Sequence, residues 1–252
     1  MRDHAGAFLL AVQFLTRIPI PKGVEFSASR NDLSTGYYPA VGAVVGLVIT
    51  GVWWGTSSLL GHPTAIVLSL VSGILITGAF HEDGLADTFD SFGSTTKDKA
   101  LEIMRDSRLG TYGVAALLSV FALKVSALLQ IAHTMIPFII ISAHVLSRFS
   151  SMMVARTSTY VREAGTAKPV AQSIDPIPLL IMVGTVLVTL LVNSMFVSPL
   201  LSITLAVATC VGHFISRLCY ELRLGGYTGD CLGATQQITE VVIYLSAVMW
   251  LH

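Results

Sequence analysis

The chain has 252 residues, of which 53% are hydrophobic and only 12% charged, and its fifteen basic and fifteen acidic side chains cancel. Soluble domains carry roughly 25% charged residues, so a soluble enzyme is excluded. A net charge of zero offers nucleic acid no electrostatic footprint. Three cysteines, Cys210, Cys219 and Cys231, are an odd number without metal-like spacing and imply no disulfide framework.

The N-terminal stretch "AGAFLLAVQFLTRIPIP" is apolar, broken by Gln13 and Arg17 and closed by Pro19 and Pro21. It is too short to span a bilayer and has no small-residue cleavage site, so it reads as an interfacial or re-entrant helix. Apolar runs then follow at 37–60, 64–80, 111–132, 134–155, 177–197, 199–216 and 234–251. A spanning helix needs about 20 apolar residues, so these runs predict an all-α, polytopic integral membrane protein with about seven transmembrane helices. The whole of 1–252 is expected to be one membrane-embedded domain, with active-site loops at 81–110 and 217–237.

Charge placement predicts the orientation. Arg2, Arg17, Lys22 and Arg30 precede the first span, and Lys97, Lys99, Arg105 and Arg108 lie between the second and third. Arg156, Arg162 and Lys168 follow the fourth, and Arg217 and Arg223 follow the sixth. The alternate connections at 61–63, near His133 and at 193–199 contain no Lys or Arg. Basic residues mark cytoplasmic loops, so the N-terminus and the basic loops are expected on the cytoplasmic side. The carboxylates share that side although acids contribute little to the sorting rule, which places the expected active site there. His62, His133 and His252 read as interfacial residues.

The first chemical motif is "HEDGLADTFDSFG", 81–93. If the helix of the second span continues through it, Asp83, Asp87 and Asp90 fall at about 0°, 40° and −20° around the axis, on one face. Glu82 falls off that face and reads as solvated. Three such carboxylates repel one another unless a cation sits among them, and hard oxygen donors suit Mg²⁺ or Mn²⁺. A charged cap on a helix end is the plainer reading, but a helix C-terminus disfavours acids.

The second motif is "STTKDKALEIMRDSRLGTYG", 94–113. Thr95 with Asp98 resembles a capping pair and Gly110 a stop, which predicts a short helix over 96–108. Arg105 and Arg108 flank Asp106, and guanidinium pairs suit bidentate phosphate binding. An ordinary solvated helix would show the same spacing; the neighbouring carboxylates favour a phosphoryl-transfer site.

In the third motif, "LGGYTGDCLGATQQITE" at 224–240, four glycines surround Asp230, so the backbone there can turn tightly and approach a ligand. Glu240, one turn from Gln236 and Gln237, enters hydrocarbon and must be paired or face a polar cavity. Within the spans, His144 and Arg148 are one turn apart, and Lys124 is expected to pair internally. Arg148 either meets a site carboxylate or phosphate or ties helices together. The Gly and Ser residues of the first two spans read as helix-packing positions.

Together, "FLTRIPIP", "YYPAVGAVVG", "HEDGLADTFDSFG", "LEIMRDSRLGTYG", the Ser147–Arg148 pair and "GGYTGDCLGATQQITE" resemble the cobalamin synthase (adenosylcobinamide-GDP ribazoletransferase) family, in order from about residue 8 to 245. The resemblance implies a multi-pass enzyme of the bacterial or archaeal cytoplasmic (inner) membrane that uses Mg²⁺. Such an enzyme joins adenosylcobinamide-GDP to α-ribazole or α-ribazole 5′-phosphate and releases GMP. Its partners are then those small molecules and the lipid bilayer, with self-association and contact with other cobalamin-assembly enzymes as further expectations. Asp83, Asp87 and Asp90 are the expected metal ligands, and Asp90 or Asp106 the group that accepts the hydroxyl proton. His81, Arg105, Arg108, Arg148, Asp230 and Glu240 are the expected substrate contacts.

Two other classes fit less well. An ion transporter would place acids deep in its spans and show an internal repeat; neither is present in the sequence. A CDP-alcohol phosphotransferase has a longer aspartate motif with an Ala-Arg step, whereas Ala86 here precedes Asp87.

Overall fold

The computed structural model describes residues 3–162 and 175–252, so the basic-loop residues Arg2 and Lys168 lie outside it. Eleven α-helices are present among the described residues: α1 His4–Leu15, α2 Ala28–Thr35, α3 Tyr38–Leu60, α4 His62–Thr77, α5 Phe80–Asp90, α6 Lys97–Ile103, α7 Thr111–Gln130, α8 Ile136–Thr157, α9 Pro176–Phe196, α10 Pro199–Leu224 and α11 Gly229–Leu251.

Five of them, α3, α7, α8, α9 and α10, are each long and apolar enough to cross a membrane, and α4 with α5 makes a sixth if that bent pair is one span. The protein is therefore an all-α, polytopic membrane protein. The helix expected as the seventh span, α11, has the length but carries Asp230, Gln236, Gln237 and Glu240 in its first half. Helix α1 is apolar but only 12 residues long, in keeping with an interfacial element.

Helix α8 is the axis of the bundle: 78% of its most apolar stretch is buried, against 11% in α9. Gly42 of α3 lets that helix lie directly on the His144 carbonyl of α8, and an added Cβ at Gly46 would come 2.8 Å from the Ile141 Cα. The expected packing role of these small residues is thus fulfilled. Outward-facing Leu187, Leu191, Phe196, Ile203, Phe214 and Leu222 leave a broad apolar perimeter, as a lipid-facing surface requires.

The decisive local feature is the break between α4 and α5. The second span does not run on through the acidic motif. Gly78 and Ala79 both adopt left-handed backbone, at φ +66° and +59°, and Ala79 is the only non-glycine residue with positive φ among those described. The Ala79 amide donates to the Ile74 carbonyl at 2.9 Å, closing the end of α4. The chain then leaves at 89° as α5. The Arg17 amide donates to the Ile76 carbonyl at 2.7 Å, and its guanidinium lies against Gly78, so the "FLTRIPIP" segment braces the bend.

Contacts sort the two ends of the bundle. At one end, Trp53 donates to His62 at 3.2 Å and the His62 and His133 rings meet at a tilt of 35° with centroids 4.2 Å apart. Gathered at the other are α5, α6, the start of α7, the segment after α8 and the α10–α11 turn. Arg223 there donates to the Phe92 carbonyl at 2.9 Å.

Candidate active site at the crossing of α5 and α11

The acidic motif begins a helix rather than ending one. Glu82 and Asp83 lie in the first turn of α5, where the helix dipole favours carboxylates. The electrostatic conflict expected from a continuing helix is therefore absent, because the two left-handed residues restart the chain. The regions expected as loops, 81–110 and 217–237, are largely helical. Helix α10 runs on to Leu224, and only 225–228 separates it from α11. Helix α6 ends at Ile103 rather than at 108, is capped by Thr96 rather than Thr95, and Gly110 starts α7 instead of stopping α6.

Helices α5 and α11 cross in backbone contact. A Cβ on Gly84 would stand 2.7 Å from the Asp230 carbonyl oxygen and 3.2 Å from the Gly233 Cα. Gly233 thus brings its helix against α5, not against a ligand. This crossing sets Asp83 and Asp87 of one motif beside Asp230 of the other. Asp83 and Asp230 line one small cavity of about 110 Å³ together with His81, Gly84 and Arg148.

Arg162 holds Asp230 from the far side. Backbone bonds pair residues 159–161 with Tyr227 (Val161 amide to Tyr227 carbonyl, 3.0 Å; Tyr227 amide to Thr159 carbonyl, 2.9 Å). Arg162 then donates to Asp230 Oδ2 at 2.7 Å and to the Met104 carbonyl at 3.2 Å. Sequence spacing gave no hint of this pair, since 68 residues separate the partners.

Asp87 is the strained acid of the group. At the membrane boundary on α5, its pKa is raised to about 7 by partial burial, then by the charges of Asp230 and Asp83. Burial also raises that of Asp230, against the pull of Arg162. Oxygen-only donors in mutual repulsion are the chemistry that suits a hard divalent cation. Among the described residues, no group of three or more His, Cys, Asp or Glu is already closed into a metal-holding geometry. Asp90, expected among the ligands and as a proton acceptor, is near enough for its charge to act on Asp87, but its two oxygens accept the Gly110 and Gly113 amides, both at 2.8 Å. It caps the N-terminus of α7.

The arginine loop lies between two of these anchors, Met104 on Arg162 and Gly110 on Asp90. Arg105 is exposed. Arg108 and Asp106 form an exposed pair, with Nε to Oδ2 at 2.9 Å and Nη2 to Oδ2 at 2.5 Å. Hydrogen bonds from Arg108 hold the Asp106 pKa below its ordinary value, which makes it a poor proton acceptor.

Over residues 7–248 the chain matches the family model described as cobalamin-5-phosphate synthase. The chain belongs to the cobalamin-5-phosphate synthase family. Over 246 residues it is 41% identical to the adenosylcobinamide-GDP ribazoletransferase of Shewanella oneidensis (strain MR-1), covering 94% of this chain and 91% of that protein. The protein of the same name from Shewanella sp. (strain ANA-3) is 42% identical with the same coverage. No solved structure matches the chain.

A second group of polar residues in this family member forms a buried network inside the bundle. Lys124 meets Glu240 at 2.8 Å and donates to Gln237 Oε1 at 2.7 Å; Gln236 donates to the other Glu240 oxygen at 2.6 Å. Arg148 and His144 meet at 3.1 Å, and His144 stands 3.7 Å from Glu240. The expected pairing of Glu240 and of Lys124 is realised, and each supplies the other. Glu82, read as solvated, instead accepts from Gln237 at 2.9 Å, because the bend turns that side of α5 toward the bundle. These side chains line a second cavity of about 380 Å³. His81 and Arg148 border both cavities.

Proposed function

We propose that this chain transfers the adenosylcobinamide-phosphate group of adenosylcobinamide-GDP to α-ribazole or α-ribazole 5′-phosphate and releases GMP. The match over nearly the whole chain to the cobalamin-5-phosphate synthase family carries the reading. The crossing of the two acidic motifs at Gly84 and Gly233, which sets Asp83 and Asp87 beside Asp230, supports it.

In this reading a ribazole hydroxyl attacks the cobinamide-side phosphorus of the diphosphate, the bond to the GMP oxygen breaks, and GMP departs. Asp83, Asp87 and Asp230 are the carboxylates that would hold Mg²⁺ against the diphosphate. A bound Mg²⁺ supplies charge neutralisation on the transferring and leaving phosphates. Arg105, free of any competing side-chain partner among the described residues, binds phosphate oxygens. Arg108 does so by exchanging Asp106 for phosphate. Asp90 and Asp106 are held by the α7 amides and by Arg108, so neither is poised to take the hydroxyl proton, which leaves with solvent. Arg162 fixes Asp230 and so the distance between the two motifs. We place this chemistry on the cytoplasmic face of the inner membrane, where the basic loops point under the positive-inside rule.

The test is GMP release from adenosylcobinamide-GDP by membranes carrying the protein, with α-ribazole 5′-phosphate present and Mg²⁺ supplied or chelated. Release that needs both is the expected result. No release from an inserted, intact protein sinks the reading.

A further inference from the structure

The larger of these two cavities lies between α3, α4, α5, α7, α8 and α11, inside the bundle rather than on the acidic surface. We propose that it is the binding site for the base and sugar of the acceptor: a planar, largely apolar aza-heterocycle carrying a sugar, a benzimidazole riboside if the transferase reading, on which this assignment rests, is right.

Size is the first argument. Small-molecule sites run from about 300 to 1,000 Å³, and about 380 Å³ accommodates a two-ring base with its sugar. A corrin ring with a nucleotide attached does not fit. The walls are the second. Ile49, Leu70, Ile74, Leu117 and Phe121 present aliphatic and aromatic surface on several sides, suited to the faces of a flat heterocycle.

The third argument is what the cavity leaves unpaired. Arg148 Nε, His144 Nε2, Gln236 Oε1 and Glu82 Oε2 are buried polar atoms without a hydrogen-bond partner among the described residues, and all four residues line this one space. Arg148, His144 and Gln236 are 2%, 6% and 1% exposed, so bulk solvent does not serve them. Buried polar groups are normally paired, so a cluster of unpaired ones marks where a ligand belongs. Donors and acceptors both occur in the set, and the full charges of Lys124 and Glu240 already offset each other. A neutral ligand with hydroxyls and a ring nitrogen answers this pattern. An acyl chain would leave every polar atom unpaired, and a phosphate would upset the balance that Lys124 and Arg148 already strike with Glu82 and Glu240.

Position is the last argument. His81 and Arg148 form the wall shared with the cavity that holds Asp83 and Asp230. A riboside seated here keeps its sugar beside the carboxylates while its base stays in the apolar interior.

The test is equilibrium binding of α-ribazole to the purified full-length protein in detergent, without donor or metal, read from benzimidazole fluorescence. Leu117→Phe and Ile74→Phe fill the cavity from two helices, and Leu117→Ala loosens the same wall without steric demand. Filling is expected to weaken ribazole binding, and raise its KM, about tenfold or more, while the KM for adenosylcobinamide-GDP moves less than about twofold. Leu117→Ala is expected to weaken ribazole binding by about threefold. Unchanged ribazole affinity in these variants, or no ribazole binding by the wild type, overturns the assignment. So does an equal rise in both KM values. If the wild type binds α-ribazole and loses it on filling, yet releases no GMP, the cavity assignment stands and the transferase reading falls. If GMP is released but ribazole affinity is indifferent to filling, the transferase reading stands and the cavity assignment falls.

Discussion

Gly84 of α5 and Gly233 of α11 are in backbone contact: a Cβ added to either would lie 3.2 Å from the other's Cα. At Gly84 the same Cβ would stand 2.7 Å from the Asp230 carbonyl, and backbone cannot rotate away as a side chain does. Gly84→Ala is therefore expected to cost about 1–3 kcal/mol by overpacking and to lower activity with it, because the crossing sets the spacing of the carboxylates. Gly51, whose added Cβ meets nothing within 4 Å, is the control. Its change to Ala should be neutral or stabilising by up to about 1 kcal/mol. Thermal midpoints and turnover in detergent compare the two, and equal behaviour would falsify the role of the crossing.

Asp87→Asn should abolish GMP release while leaving membrane insertion and the thermal midpoint close to wild type. The side chain is half-buried, and repulsion from Asp230 and Asp83 is relieved by the change. Wild-type turnover would remove Asp87 from the mechanism.

Removing the Asp90 carboxylate should act differently. Asp90→Ala strips α7 of the side chain that accepts two of its first amides, and loss of a cap costs about 1–2 kcal/mol. Stability and activity should fall together. A variant that loses activity at full stability would instead return Asp90 to the chemistry.

The pH dependence of metal binding follows from Asp87. Its pKa rises from 3.8 to about 7 in the metal-free protein. Because the folded state holds this proton more tightly than the unfolded one, metal-free stability should decline as pH rises from about 4 to about 7. A cation needs the ionised carboxylate, so affinity for Mg²⁺ should increase over the pH units below about 7 and level off above it. Titration with Mn²⁺ followed by electron paramagnetic resonance at pH 6 and pH 8 measures this; a pH-independent affinity counts against Asp87 as a ligand.

Lys124 and Glu240 form a buried pair, 8% and 1% exposed. Lys124→Met leaves Glu240 as an uncompensated charge, at an expected cost of about 3–5 kcal/mol. The double variant Lys124→Met/Glu240→Gln should recover most of that loss. Unfolding in mixed detergent reads the cycle, and additive losses would show that the two residues act separately.

Most of the helical framework was legible in the sequence because apolar run length is a local property. The limits of α3, α7 and α8 differ from the expected runs by two residues or fewer at each end. Charge in hydrocarbon was equally readable: Glu240 and Lys124 had to be paired, and they are. Three features were not legible. The bend at Gly78 depends on an alanine in left-handed backbone, which no residue pattern announces, and so the environment of Glu82 was misread. The Asp90 cap and the Arg162–Asp230 pair join residues 20 or more positions apart; only the packed bundle brings them together. The spacing that placed Asp83, Asp87 and Asp90 on one face was sound, yet the same face meets two neighbours, α11 near Gly84 and α7 near Asp90.

The left-handed pair at Gly78 and Ala79 also fixes the rotational phase of α5. A helix advances about 100° per residue, so a single insertion between the bend and the acids would swing Asp87 off its face and turn buried Leu85 outward. The length of this stretch is in effect quantised, and no small insertion or deletion passes through it unnoticed. The bare turn at Gly61 carries no such register, so natural drift in chain length should collect at that end of the bundle and spare the elbow.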